Sequence, residues 1–180
     1  GLPVFATSVG GKFIGYIDTL ILTFYGNLTQ VGIYNVVLPS ALIFLFFSKA
    51  ISSVIFPLSS ELWIKKDTDK LKNGLAFIHK YIFAIMLPCI LTIFYYSPFF
   101  INLLFGKQYL SGVPSFQILL IGVMLYVTAS VNNNVIAGIG KPAQVTKIIL
   151  LSAVINVGLN IALIPKYGII GAAVATTISY

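Results

Sequence analysis

The sequence predicts an all-α membrane protein, a polytopic bundle of transmembrane helices, and three observations lead to this class. Hydrophobic residues make up 58% of the 180 residues and charged residues only 8%, whereas a soluble domain carries about 25% charged residues. The mean hydropathy is +1.00. Apolar runs of the roughly 20 residues needed to cross a bilayer recur to the end of the chain, whereas a signal peptide would give one such run near the start.

Six apolar runs follow one another and predict five complete transmembrane helices and part of a sixth. The runs are Pro3 to Phe24, Ile33 to about Ser60, Leu75 to Tyr96, Val113 to about Ile136, Ala143 to Ile164, and the run that starts at Ile169. Turn-forming or charged segments separate them, namely residues 26–32, 61–73, 106–112, 138–142 and 165–168. The pattern therefore places every long apolar run in a helix of its own.

Two segments do not fit a simple series of crossings. The second run is longer than a bilayer is thick, so we expect it to tilt, to bend at Pro39 or to project into water beyond Pro57. The segment from Pro98 to Phe105 is too short to cross, so we place it at the interface or as an extension of the third helix. A crossing there would invert the topology of everything that follows.

Both ends of the sequence indicate a piece of a longer membrane protein. The first residue is Gly1 rather than Met, and it already lies next to an apolar run. The last run is still apolar when the chain stops at Tyr180. We therefore expect residues 1–180 to be one segment of a larger bundle.

The lysines predict the orientation of the bundle in the cytoplasmic membrane. If the helices alternate and residues 98–105 do not cross, seven lysines lie on one side: Lys65, Lys66, Lys70, Lys72, Lys80, Lys141 and Lys147. Only Lys107 and Lys166 lie on the other side. Because cytoplasmic loops carry the excess of Lys and Arg, loops 61–73 and 138–142 are predicted to be cytoplasmic. A crossing at residues 98–105 would weaken this asymmetry.

Polar residues at membrane depth are the candidates for a functional site. The first helix carries Lys12 and Asp18, and the second carries Lys49 with Ser52 close by. An unpaired charge at this depth costs about 2.5–3.5 kcal/mol on insertion scales, so each should face a partner or a watery cavity. One interpretation is structural, with the lysines snorkelling or pairing with Asp18. The other is an electropositive cavity for an anionic substrate such as a phosphate or diphosphate.

Asparagines add a second set of candidates. Asn156 and Asn160 stand four residues apart and share one face of the fifth helix, where both hydrogen bonding between helices and substrate contact are open interpretations. Residues 132–134 are all Asn and end the fourth helix. They can line a polar path, but three consecutive residues cannot all share one helix face.

Several function classes lack their sequence signature. The segment GIGKPAQ resembles a nucleotide-binding loop, but it lacks the Ser or Thr after Lys and follows a membrane helix rather than a strand. The single Cys89 and single His79 provide no set of metal ligands. The net charge of +7 comes from lysines spread over the loops, not from a basic domain. We therefore predict no enzyme activity, no cofactor, no metal site and no nucleic-acid partner.

Four segments carry a resemblance to a known family. They are YIDTLILTFYGNLTQVGIYN, LFGKQYLSG, GIGKP and, most specifically, INVGLNIALIPKYGIIGAAVATTIS. They resemble the polysaccharide and O-antigen flippases of the multidrug/oligosaccharidyl-lipid/polysaccharide exporter superfamily. The resemblance covers essentially the whole chain. It implies a MATE-like protein of two six-helix lobes, in which residues 1–180 form most of the second, C-terminal lobe and the first lobe is absent.

The resemblance implies transport of a lipid-linked oligosaccharide, carried on a polyprenyl diphosphate, by alternating access of the two lobes during cell-envelope polysaccharide biosynthesis. Its partners would be the lipid-linked substrate, membrane lipid and the missing lobe. Asp18 matches the recurring Asp of the family's DTLIL segment and is expected to orient Lys12 or to take part in ion coupling. Two alternatives stay open: a multidrug or metabolite exporter of the same fold, and a membrane scaffold whose charges pair with another protein.

Overall fold

The computed structural model describes residues 16–180, and within this range the chain is helical without strands. Lys12 and most of the first predicted helix lie outside the described residues. The described end of that helix, residues 16–25, is here α1. The other helices are α2 (Leu28–Leu42), α3 (Leu45–Ile64), α4 (Thr68–Tyr95), α5 (Ser97–Phe105), the 3-10 helix Lys107–Gly112, α6 (Val113–Gly138) and α7 (Pro142–Ser179).

Four helical stretches of the described chain are long and apolar enough to span a membrane. They are Leu28–Ile64, which joins α2 to α3, Thr68–Tyr95, Lys107–Gly138 and Pro142–Ser179. These stretches correspond to the predicted runs after the first, so the polytopic all-α fold is confirmed. The protein is a multi-pass membrane protein.

The helices extend further into the predicted loops than the sequence pattern indicated. Asn27 caps α2, because its side-chain oxygen accepts a hydrogen bond from the Gln30 backbone N–H at 2.8 Å, so α2 begins five residues earlier than expected. The charged segment 61–73 is also largely helical, and only residues 65–67 interrupt it. Glu and Lys are good helix formers. The charged residues of this segment therefore indicate where the chain leaves the apolar layer, and the helix itself continues beyond that point.

The stretch Leu28–Ile64, which corresponds to the second predicted run, breaks after Pro39 rather than at it. Pro39 lies inside α2, and the helix ends only at Leu42. At the break, the N–H of Phe46 bonds to the Ile43 carbonyl and the N–H of Phe47 bonds to the Phe44 carbonyl, both at 3.1 Å. These i to i−3 bonds tighten the chain for one turn. The stretch therefore consists of two helices, of which α3 continues to Ile64.

Helix α6 runs parallel to the α2–α3 stretch. Gly112, just before α6, lies so close to α2 that an added Cβ would come within 2.6 Å of the Ile33 side chain. Gly138, at the other end of α6, lies as close to α3, where an added Cβ would stand 2.7 Å from the Phe56 carbonyl oxygen. Helix α4 crosses back between α3 and α6 in the chain, and one return crossing is enough for α3 and α6 to run in the same direction. Helix α5 therefore does not cross the membrane. The expectation for residues 98–105 is confirmed, with α5 as a short separate helix.

Helix α7 reverses direction at Gly168. The backbone of Gly168 has φ 55° and ψ −130°, a conformation that is accessible essentially only to glycine. A straight helix would hold Asn156 and Thr176 about 30 Å apart, yet the Asn156 Nδ2 lies 3.5 Å from the Thr176 Oγ1. Two antiparallel limbs result, residues 142–167 and 169–179, which confirms the predicted turn within residues 165–168.

The turns within segments 61–73 and 138–142 lie at the same end of the bundle. Since α3 and α6 run parallel, the α3–α4 turn at residues 65–67 and the α6–α7 turn at residues 139–141 emerge together. The turn of α7 lies at the opposite end, where Gly168 approaches the Gln30 side chain. By the excess of lysine, the first end remains predicted to be cytoplasmic.

Helix α6 forms the centre of the bundle. Its fully buried residues include Leu119, Val123, Val127 and Val131, and it packs against α2, α3, α4 and α7. The outer surfaces of the other helices expose large apolar side chains such as Phe46 and Leu151, as a lipid-facing surface requires. Close packing and hydrogen bonds between helices therefore hold the bundle together, since lipid tails are as apolar as the side chains.

Candidate functional site

A buried carboxylate lies where α1, α2 and the two limbs of α7 meet. Asp18 on α1 is only 1% exposed. Its Oδ2 accepts hydrogen bonds from the Tyr34 hydroxyl at 2.9 Å and from the Thr176 hydroxyl at 2.5 Å. Its Oδ1 accepts one from the Asn160 side-chain amide at 2.6 Å. These residues and Asn156 are called the Asp18 cluster below.

The fold of α7 supplies three of the five members of the cluster. Asn156 and Asn160 share one face of the first limb, and the Asn160 amide donates to the Asn156 side-chain oxygen at 3.0 Å. Thr176 comes from the second limb, which the turn at Gly168 brings back alongside the first. Tyr34, fully buried on α2, completes the cluster and ties it to the second transmembrane stretch.

Small side chains allow the second limb to come this close. Gly171, Ala172, Ala173 and Ala175 on that limb are all buried, and an added Cβ on Gly171 would stand 2.6 Å from the Leu163 carbonyl oxygen. Small residues at such positions let helix backbones approach closely in membranes. The close approach is what brings the Thr176 hydroxyl to Asp18.

The Asp18 cluster is rich in oxygen and holds no cationic side chain within the described residues. All three of the groups that donate to the carboxylate are neutral, and Asn160 Oδ1 is buried without a hydrogen-bond partner there. An ionised carboxylate in an apolar interior is strongly disfavoured without a compensating charge. Within the described residues, the cluster therefore offers several oxygen atoms and no positive charge that compensates the carboxylate.

Of the residues that the sequence nominated, the structure brings three together and leaves two, Lys49 and Ser52, apart. Asp18, Asn156 and Asn160 meet in one cluster. Lys49 is exposed on α3 and makes no ion pair within the described part of the chain. Ser52 accepts a hydrogen bond from the Asn134 amide at 2.8 Å, which joins α3 to α6. Lys12 lies outside the described residues.

A pocket of about 380 Å³ lies one helical turn away from the Asp18 cluster. We call it the α6–α7 pocket. Its lining residues come from the α2–α3 break, from α6 and from both limbs of α7: Leu42, Leu45, Tyr126, Ala129, Asn132, Asn133, Ile136, Ile148, Ile149, Ser152, Ser179 and Tyr180. As the sequence predicted, the three consecutive asparagines do not share a face, because Asn134 points to α3 while the other two line the pocket.

Sequence reasoning missed Tyr34 and Thr176. Tyr34 lies in an apolar helix, and its sequence neighbours do not indicate a polar partner. Its hydroxyl reaches Asp18 only when α2 packs on α1. Thr176 had a signal: it is a hydroxyl residue within a stripe of small residues, and such a stripe brings its neighbours into close contact.

Solved structures share the fold of this bundle. Two solved structures, a MOP superfamily transporter from Pyrococcus furiosus and a multidrug resistance MATE family transporter of the same superfamily in an outward-facing conformation, each match 99% of this chain with a TM-score of 0.80. Sequence identity is 17%, and the match covers 40% of each structure. The bundle is thus a MATE-like transmembrane fold, as predicted.

Residues 1–114 match the family described as polysaccharide biosynthesis protein. This match covers more than half of the chain, so the chain belongs to that family, which confirms the resemblance carried by the motifs.

Archaeal relatives match over almost the whole chain. An uncharacterized membrane protein of Methanocaldococcus jannaschii is 38% identical over 100% of this chain and 36% of its own length. The Haloferax volcanii protein named probable low-salt glycan biosynthesis flippase Agl15 is 24% identical over 97% of this chain and 37% of its own length. The chain therefore spans little more than a third of the length of these relatives.

Proposed function

We propose that the protein to which this chain belongs is a flippase, a membrane transporter rather than an enzyme, that moves a lipid-linked oligosaccharide across the cytoplasmic membrane during polysaccharide biosynthesis. Membership of the polysaccharide biosynthesis family, a MATE-like fold and a relative named as a glycan flippase support this proposal. Residues 1–180 would form most of the second of two lobes, with the first lobe as their partner. Alternating access of the two lobes would carry the substrate.

The observation that carries the proposal is the Asp18 cluster. A carboxylate buried in a transmembrane bundle without a cationic partner in the described residues is expensive unless a proton or cation occupies the site. Because the cluster joins α1, α2 and both limbs of α7, its occupancy can change how these helices pack. We therefore assign Asp18 to ion coupling, in which binding and release of a cation or proton drive the change of access.

Lys49 is assigned to the anionic part of the substrate. Its ammonium group is exposed on α3 and has no acidic partner within the described range, so it is free to meet a phosphate or diphosphate group. Lys12 is proposed for the same role on the basis of the sequence. An exporter of cationic drugs would need an acidic side chain open to its substrate, whereas the Asp18 carboxylate is buried and already accepts three hydrogen bonds.

Flipping measured in proteoliposomes with the full-length protein tests the proposal. A lipid-linked oligosaccharide extracted from the host membrane is reconstituted, and its appearance in the outer leaflet is followed by accessibility to a glycosidase. We expect wild type to flip the lipid and Lys49→Ala to slow flipping at least tenfold. Lys107→Ala, which removes an exposed lysine from the other end of the bundle, is the matched control. Absence of flipping by folded wild-type protein would refute the flippase assignment.

A further inference from the structure

Three polar side chains that line the α6–α7 pocket make no hydrogen bond within the described residues. Asn132, Asn133 and Ser152 line it, and within the described residues none of the three makes a side-chain hydrogen bond to another residue. Other asparagines of the bundle do have partners, since Asn134 donates to Ser52 and Asn160 to Asp18. The three side chains are half-buried, so their polar atoms are open to the pocket and available to a ligand. The pocket is therefore built for a ligand that can both donate and accept hydrogen bonds.

We propose that the α6–α7 pocket binds an uncharged sugar ring of the lipid-linked substrate. This inference rests on the proposed flippase function and names the part of the substrate that this region recognises. A carboxamide donates two hydrogen bonds and accepts two, which matches pairs of sugar hydroxyl groups. At about 380 Å³, the pocket falls within the roughly 300–1,000 Å³ typical of small-molecule sites.

The rest of the lining suits the same ligand. Among the described residues, none of those that line the pocket is Lys, Asp or Glu, and this lining suits an uncharged group. Tyr126 and Tyr180 lie at the pocket with their ring centroids 4.6 Å apart, and their faces with the neighbouring aliphatic side chains offer apolar surface to the C–H faces of a sugar. A lipid tail would fit the apolar surface alone and would leave the amides of Asn132 and Asn133 unpaired.

The position of Lys49 relative to the pocket matches a sugar phosphate. Leu45 lines the pocket, and Lys49 stands four residues further along α3, on the same helix face and about 6 Å along the axis. A sugar ring in the pocket would thus leave its phosphate within reach of the lysine. The neutral and the anionic parts of one substrate would be held by adjacent surfaces.

The pocket also lies next to the Asp18 cluster. Ser152 in the pocket lies one turn before Asn156 on the first limb of α7, and Tyr180 lies one turn after Thr176 on the second limb. Both limbs therefore carry one residue of each site on the same face. A sugar in the pocket and a cation in the cluster would each contact the same two limbs and would each affect how these limbs pack.

The test compares two probes on the purified full-length protein: the lipid-linked oligosaccharide extracted from the host membrane, and the same polyprenyl carrier after enzymatic removal of its sugars. Binding of each is measured for wild type, for Asn132→Ala/Asn133→Ala and for Lys49→Ala. Asn102→Ala, which removes an exposed asparagine from α5, is the control. Because the pocket asparagines make no side-chain hydrogen bond within residues 16–180, their removal should leave the thermal stability unchanged, and Ser152→Ala provides an independent variant.

We expect the double variant to bind the glycosylated probe about 10- to 100-fold more weakly, at roughly 3- to 10-fold for each amide, and the sugar-free probe as tightly as wild type. Lys49→Ala should weaken binding of both probes. Unchanged binding of the glycosylated probe by the double variant would overturn the inference, and so would an equal loss for both probes, which would assign the pocket to the lipid or the phosphate. If folded wild-type protein binds neither probe, the flippase proposal itself fails.

Discussion

Removal of the Asp18 side chain tests whether the buried cluster is a structural unit. In Asp18→Ala, three donors lose their acceptor: the hydroxyls of Tyr34 and Thr176 and one N–H of Asn160. The two hydroxyls already lie 3.5 Å apart and can pair with each other. One of the two hydroxyl hydrogens and one amide N–H of Asn160 then remain without an acceptor, at a cost of about 1–3 kcal/mol each. We expect the apparent melting temperature in detergent to fall accordingly.

Asp18→Asn separates charge from shape at the same position. An asparagine can keep its oxygen as the acceptor for the two hydroxyls, and its NH₂ can donate to the unpaired Asn160 Oδ1 if that amide rotates, so we expect a loss of about 1 kcal/mol. What it removes is the negative charge that would hold a cation or proton. A ligand at a hundred times its dissociation constant stabilises a protein by about 2.7 kcal/mol, and this gain should disappear in the variant.

The assay is the melting temperature of the full-length protein as a function of Na⁺, K⁺ and pH, with choline chloride as the ionic-strength control. Wild type should be stabilised by one of these ions or by protons, and Asp18→Asn should not respond to it. The interpretation of the cluster as an ion site is refuted if wild-type stability is indifferent to all of them, or if Asp18→Asn responds as wild type does.

Two further predictions concern the architecture that builds the site. Gly168→Ala places a Cβ on a backbone with φ 55° and should destabilise the protein by about 1–3 kcal/mol. The control Gly74→Ala, in α4 with open space around it, should be neutral or stabilising by up to about 1 kcal/mol. Equal melting temperatures of the two variants would show that the turn does not need glycine. A double-mutant cycle of Ser52→Ala and Asn134→Ala should give a coupling energy of about 0.5–1.7 kcal/mol, measured by thermal unfolding, and additive effects would mean that their hydrogen bond contributes nothing.

The sequence predicted the transmembrane helices because their signal is local. Apolar runs of bilayer length specify helices regardless of their neighbours, and the excess of lysine on one side agrees with an α5 that does not cross. The helix boundaries were less predictable. The sequence gives no sign of the break at residues 43–44. The charges of residues 61–73 suggested a loop, but charged residues are good helix formers in water, and the segment is largely helical.

The site was predictable only in part because it depends on packing. Asn156 and Asn160 share a face by their spacing alone, and Asp18 was conspicuous as a carboxylate in an apolar helix. That these three meet depends on the reversal at Gly168, and that Tyr34 and Thr176 join them depends on contacts over 16 and 158 residues of sequence. For Lys49, the sequence predicted a position at membrane depth but not the direction in which its side chain faces.

The most direct test of the central claim, that the Asp18 cluster couples transport to a cation or proton, is flipping by the full-length protein under an imposed ion gradient. Proteoliposomes containing lipid-linked oligosaccharide are given a Na⁺ gradient, a proton gradient or neither, and flipping rates are compared for wild type and Asp18→Asn at equal protein content. We predict that one gradient accelerates wild type and leaves Asp18→Asn at the gradient-free rate. Equal acceleration of both proteins by the same gradient would contradict the claim.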